Sequence, residues 1–258
     1  MIQTILIFCI VITSASPILA APCTQKDTNA RGFCELQQGK IKQAHAFFEK
    51  AMTNKSAYPF INHARTTTLL NQNKSAGCPL DTNWIWLALS DLTSAAEYDS
   101  NETKNKIDED SNQWLKVLKE KPEYKLWYQA AFDKLPDTQK DLREWIMKNP
   151  HMHSESTGVA SSLLNFNDKE IQEMDISGVA KTVATYQLNN KNISVALNDS
   201  KLKILYALKR DQYFFNEGKN SIIYLIWEPL SSAGITQKDS PSWFGSNLIV
   251  GPILHDCL

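Results

Sequence analysis

The chain has 258 residues, with 27 Lys and Arg against 28 Asp and Glu. That balance, without a Lys/Arg cluster, leaves no broad basic footprint for neutralising phosphates, so no nucleic-acid partner is expected. After the first residues the longest apolar run is 222–227, far below the about 20 apolar residues a membrane span needs, so the mature chain is expected to carry no integral membrane segment.

At the N-terminus an apolar run from Ile5 to Ile12 is followed by Ser14, Ala15 and Ser16, then Pro17 and Ala20. This is the order of a cleavable signal peptide, a short apolar core followed by a helix breaker and small residues, although no Lys or Arg precedes the core. Cleavage after Ala20 avoids a proline at the first mature position. A lipid-anchored cysteine is not expected, because Pro22 precedes Cys23. Residues 1–20 are therefore assigned as signal peptide and the mature protein as periplasmic or extracellular. The bias toward Asn, Lys, Gln and Ile suits an AT-rich bacterial genome.

Cys9 leaves with the signal. Cys23, Cys34, Cys78 and Cys257 remain, and an even count in an oxidising compartment reads first as disulfides. Three pairings are possible. Cys23–Cys34 and Cys78–Cys257 are favoured, the first stapling the N-terminus and the second tying the tail to the first half. A zinc site is the weaker reading, since no CxxC pair is present.

Residues 24–148 read as helices. Ile41, Ala44, Phe47, Phe48, Ala51 and Met52 recur at the helical period, as do Trp84, Leu87, Ala88, Leu92 and Ala95. Tyr124, Trp127, Tyr128, Ala131, Phe132 and Leu135 form a stripe stopped by Pro136. Thr138 offers a cap for a helix carrying Leu142, Trp145 and Ile146, which Asn149 and Pro150 end. Weaker helices are predicted over 59–70 and 107–118, with Asp108, Glu109 and Asp110 placed at the start of the latter.

Residues 151–157 are polar and are taken as an interdomain linker. Beyond it the period changes. Ile193, Val195 and Leu197 alternate, residues 198–201 are turn-like, and Leu202, Ile204 and Tyr206 alternate again, which is a β-hairpin signal. Further strands are predicted at 183–188, 213–215, 221–227 and 248–250, with a helix over 168–174. The expected fold class is therefore α+β: a helical domain, 21–150, followed by a smaller β-rich domain, 157–258.

No Gly-x-Ser-x-Gly elbow, phosphate-cradling loop or His-Glu-x-x-His is present. His151, His153 and Glu155 alternate and share one face of an extended segment, which makes them a weak metal candidate. His255 and Asp256 next to Cys257 could form a nucleophile with a base, but adjacent side chains do not face each other easily. No cofactor is expected. Of seven tryptophans, most sit in apolar stripes and are assigned to cores. Trp86 lies off its stripe and Trp243 lies in a Pro-Ser-Trp-Phe-Gly loop, so these two are the candidates for an exposed binding surface.

Gly39, Ala44, Phe48 and Ala51, with Gly32 upstream, resemble the second half of a tetratricopeptide repeat. The Ala-x3-large-x2-Ala pattern returns at Ala88, Leu92 and Ala95, a spacing longer than that repeat's period. The strong part of the resemblance covers about 20 residues. It implies a scaffold whose concave face holds a peptide or protein, and it implies no catalytic residues. Gln43 and Lys50, off the buried stripe, become contact candidates. The function read from the sequence is an exported, non-catalytic protein-interaction protein of the assembly-factor, inhibitor or toxin-immunity type. The alternative is an exported hydrolase of cell-wall or polysaccharide material, with its site between the two domains.

Overall fold

The computed structural model describes residues 21–74, 83–154, 162–231 and 240–251, apart from 176, 199 and 216. Residues 1–20, where the sequence predicts a signal peptide, and Cys78, Glu155, His255, Asp256 and Cys257 lie outside the described residues. The fold is α+β, with helices filling the first half and one antiparallel sheet the second.

Helices α1 (Thr28–Gln37) and α2 (Ile41–Ala51) are joined by a tight turn at Gly39, whose φ of +73° suits glycine. Asp27 caps α1 by accepting from the Ala30 amide at 2.7 Å. Cys23 is bonded to Cys34, with Cα atoms 5.8 Å apart, so the chain entering α1 is tied to the helix itself. Gln38 adds to the staple by donating to the Ala21 carbonyl at 2.8 Å.

The small residues of the repeat-like pattern have a packing reason. A Cβ added at Gly32 would lie 2.7 Å from Phe48 Cε1, and Phe48 is fully buried. Gly32→Ala gains about 1 kcal/mol of helix propensity but overpacks a site whose neighbour cannot retreat, which costs roughly 1–3 kcal/mol. A net loss of up to about 2 kcal/mol is expected from the shift of the denaturant midpoint. A more stable variant would show that the contact is looser than this.

Helices α3 (Ala57–Asn71) and α4 (Trp84–Tyr98) pack as a second pair, and α2 also packs on α3. Asn83 caps α4 through the Ile85 amide. Asp99 then caps α5 (Ser100–Asp108), so this helix starts seven residues earlier than expected and ends where the acidic cluster begins. Asp108 to Asp110 therefore sit at a C-terminal end, contrary to the sequence reading. Local contacts offset the unfavourable dipole: Lys104 pairs with Asp108 at 2.7 Å, and the Leu115 amide donates to Asp110 Oδ2 at 2.8 Å. Helices α6 (Lys116–Lys119), α7 (Pro122–Phe132) and α8 (Gln139–Lys148) complete the half.

The sheet is a closed barrel in which every strand pairs antiparallel with its chain neighbours. Its strands are β1 (His151–Ser154), β2 (Leu163–Phe166), β3 (Glu170–Met174), β4 (Ala180–Asn189), β5 (Asn192–Leu197), β6 (Lys203–Phe215), β7 (Asn220–Pro229) and β8 (Leu248–Val250). Two expectations are corrected here. The polar segment read as a linker contains β1, which pairs with both β2 and β8 and buries Met152, His153 and Ser154. The helix expected over 168–174 is β3, because Ile171 is needed as an inward residue between β2 and β4.

The barrel core is aromatic, with Phe166, Tyr206, Trp227 and Trp243 each at most 1 % exposed. Strands β6 and β7 run past it as a long hairpin. Phe215 and Ile222 near the hairpin's far end are buried in the helical core beside Trp84 and Leu89. The Ser221 amide donates to Ser90 Oγ at 3.1 Å, and Arg210 Nε donates to the Ala130 carbonyl at 2.6 Å. The two halves therefore share a core and a hydrogen-bonded seam, where the sequence suggested two pieces on a linker.

Candidate functional site

The barrel and the helical half meet at a narrow apolar gap of about 70 Å³ between α4, α7, β7 and β8. Trp86 lines it, edge-on to Tyr213 and Phe215. Its lining brings a single ionisable acid, Glu123, and no histidine. Paired carboxylates or a His-containing triad, which hydrolysis in this gap would require, are not among the described residues there.

The sequence candidates separate once folded. Trp243 is fully buried, which corrects its assignment to an exposed surface. A loop residue can be buried when its backbone is satisfied, and here the Gly245 amide donates to Tyr206 Oη at 2.8 Å. Trp86 is half-buried at the interdomain gap. His151 is exposed while His153 is 5 % exposed, and no three His, Cys, Asp or Glu side chains are arranged to hold a metal ion among the described residues. Gln43 and Lys50 are exposed on α2, apart from the hollow described next.

That hollow, about 470 Å³ in volume, is lined by α1 and α3, the first helices of the two successive pairs, by α5, which packs on α3 and α4, and by the α5–α6 loop. Tyr58, Asn62 and Arg65 share one face of α3, and Asn29 and Phe33 share one face of α1. Arg65, 8 % exposed, forms the floor. Its Nη1 donates to Asn62 Oδ1 at 2.9 Å, its Nη2 donates to the Lys106 carbonyl at 3.1 Å, and its Nε lies 3.4 Å from Asp110 Oδ1. The guanidinium also covers the Trp114 ring at 5.3 Å, and Phe33 meets that ring edge-on. Asn62 Nδ2 donates to Asn29 Oδ1 at 3.1 Å, linking α3 to α1. Tyr58, 43 % exposed, stands at the rim with its hydroxyl held by Glu102.

This arrangement presents aromatic edges and amide groups in a concave place whose main cation is already paired, which suits an uncharged stretch of chain better than a free anion. Sequence reasoning missed Asn62, Arg65 and Trp114. The available signal was polar residues at positions where α3 turns its buried face, since a buried Arg must be paired.

A second cluster lies behind the hollow, between α2, α3 and α4. His63 Nδ1 is 2.7 Å from Asp91 Oδ2. The His45 and His63 rings stack with centroids 4.2 Å apart, and His45 Nδ1 is 2.9 Å from Thr66 Oγ1. Burial lowers the His45 imidazole to about 4, helped by the neighbouring His63 charge. For His63 burial pulls downward, but the Asp91 charge and hydrogen bond outweigh it and the group ends raised. A His–Asp pair beside a hydroxyl suggests hydrolysis, but Thr66 is fully buried and its hydroxyl donates to backbone carbonyls of its own helix, His63 at 2.9 Å or Asn62 at 3.3 Å. No substrate reaches that oxygen.

Compared with family models, curated proteins and solved structures, the chain shows no significant match. The site is therefore read from its own geometry.

Proposed function

We propose that this is an exported, non-catalytic interaction protein that holds a segment of another protein in the hollow of α1, α3 and α5. The observation that carries the reading is that hollow, about 470 Å³ in volume and framed by α1 and α3, the first helices of two successive pairs, with α5 beside them. Stacked helical pairs share one elongated core and leave a concave face free for recognition. The barrel then acts as a brace, with Phe215 and Ile222 of its β6–β7 hairpin buried in the helical core. Export is supported by the apolar run and small residues of 1–20, and by the Cys23–Cys34 disulfide of an oxidising compartment. No helix among the described residues is long and apolar enough to cross a membrane.

Selection of a random peptide library on residues 21–258 at pH 7 tests the reading. Tyr58→Ala should weaken the selected peptides about tenfold, as expected for an aromatic rim contact. Lys50→Glu, on the other face of the pair, should leave binding unchanged. If Lys50→Glu weakens binding and Tyr58→Ala does not, the recognition face lies on α2. A library that yields no binder would count against the groove altogether.

A further inference from the structure

The hollow depends on how α1 sits against α3, and α1 is carried by α2. The α2–α3 seam in turn contains the stacked pair of His45 and His63. Hydrogen bonding fixes where protons can go. With the Thr66 hydroxyl donating to a backbone carbonyl, that of His63 at 2.9 Å or Asn62 at 3.3 Å, Thr66 Oγ1 is left to accept, and His45 Nδ1 is assigned as the donor to it. His63 Nδ1 likewise faces the Asp91 carboxylate. In both rings Nε2 is left as the basic atom, and neither Nε2 has a partner among the described residues.

We propose that the α2–α3 seam is acid-sensitive, packed at neutral pH so that the groove keeps its shape, and loosened in mild acid when His45 takes a second proton beside His63. This rests on the groove reading above for its consequence, but not for its chemistry. The first proton on the pair is compensated, because His63 is pinned to the buried carboxylate of Asp91 from α4. The second proton, on His45 Nε2, places two cationic rings face to face. The other acid facing the rings is Glu49, one helical turn along α2 and exposed to solvent, where it screens weakly.

The sign follows from linkage. A released His45 titrates at 6.5, whereas the packed ring is held down to about 4. The loosened seam therefore takes up the proton first. Closure is lost as pH falls from about 6.5 and reaches its lowest level below about 4. The His63 contribution has the opposite sense, being present in acid and fading as pH rises above its raised value, so the acid limb is set by His45. Each pH unit can shift the equilibrium by up to about tenfold. Partial contact with solvent reduces the expected total to about tenfold between pH 7 and pH 4.5.

Hydrogen exchange of the full mature chain tests this, with rates corrected for intrinsic pH dependence. Opening of the α1–α2 amides should rise about tenfold between pH 7 and pH 4.5, while β5 and β6 keep their protection. His45→Phe, which keeps a stacked ring that cannot titrate, should remove that rise, and His45→Gln should do the same without the ring. The proposal is overturned if wild-type α1–α2 protection does not change. It is also overturned if both variants open as much as wild type in acid, or if the barrel opens in parallel. A peptide selected at pH 7 should be released over the same window. If no peptide is ever selected, the groove reading fails while the exchange result still decides the seam.

Discussion

Replacing Trp227 with alanine should cost about 3–5 kcal/mol, the range for deleting a fully buried large aromatic. Trp227 has no exposed surface, lies between Leu208 of β6 and Leu248 of β8 in register, and meets Trp145 of α8 edge-on. The vacated volume would lie where barrel and helices share their core, so neither half can collapse into it independently. Against a total stability of about 5–15 kcal/mol, the variant should be largely unfolded well below the wild-type melting temperature. Trp227→Phe should cost less, about 1–2 kcal/mol, because the indole Nε1 has no hydrogen-bond partner and its loss removes a buried unsatisfied donor. Denaturant midpoints of the two variants check both values. A Trp227→Ala loss below about 1 kcal/mol would mean that the core is not closed there.

Asp110→Ala should be of similar size, for an electrostatic reason. Arg65 is 8 % exposed, and Asp110 supplies the carboxylate beside its Nε. Removing one member of a buried pair leaves an uncompensated charge, at about 3–5 kcal/mol. The same change takes away the acceptor for the Leu115 amide. If the loss comes from the stranded guanidinium, Arg65→Met in the Asp110→Ala background should recover stability. An additive double variant would instead assign the loss to the α5–α6 loop. The cycle is measured by denaturant unfolding, and the coupling should be at least about 1 kcal/mol.

Much of the local structure was legible because periodicity is a property of neighbouring residues. The stripes of 41–51, 84–95, 124–132 and 142–146 fall on α2, α4, α7 and α8, with Met52 capping α2 and Leu135 lying past the end of α7, and the alternation of Ile193, Val195 and Leu197 falls on β5. Cys23 and Cys34 are close enough in the chain for their pairing to be anticipated, and the structure pairs them. The helix-then-sheet order also follows from the change of period.

What the sequence left undetermined consists of contacts between residues far apart in the chain. Four residues at 151–154, two of them histidine, are too short and too polar to announce a strand. They become one only because β2 and β8 offer their edges on both sides. Trp243 looked exposed because loop residues usually are, and it is buried because Tyr206 satisfies the turn's backbone. Gln43 and Lys50 were chosen from the buried stripe of α2 alone. That stripe tells which side of α2 is core, but not which helices of successive pairs face the same hollow. Bringing Asn29, Asn62, Arg65 and Trp114 together depends on how α1, α3 and α5 pack, and the stacking of His45 on His63 depends on α2 docking against α3. Local period determines where each element's apolar side lies. Only the closing of those sides against one another decides which polar residues are left facing each other in the groove and across the seam.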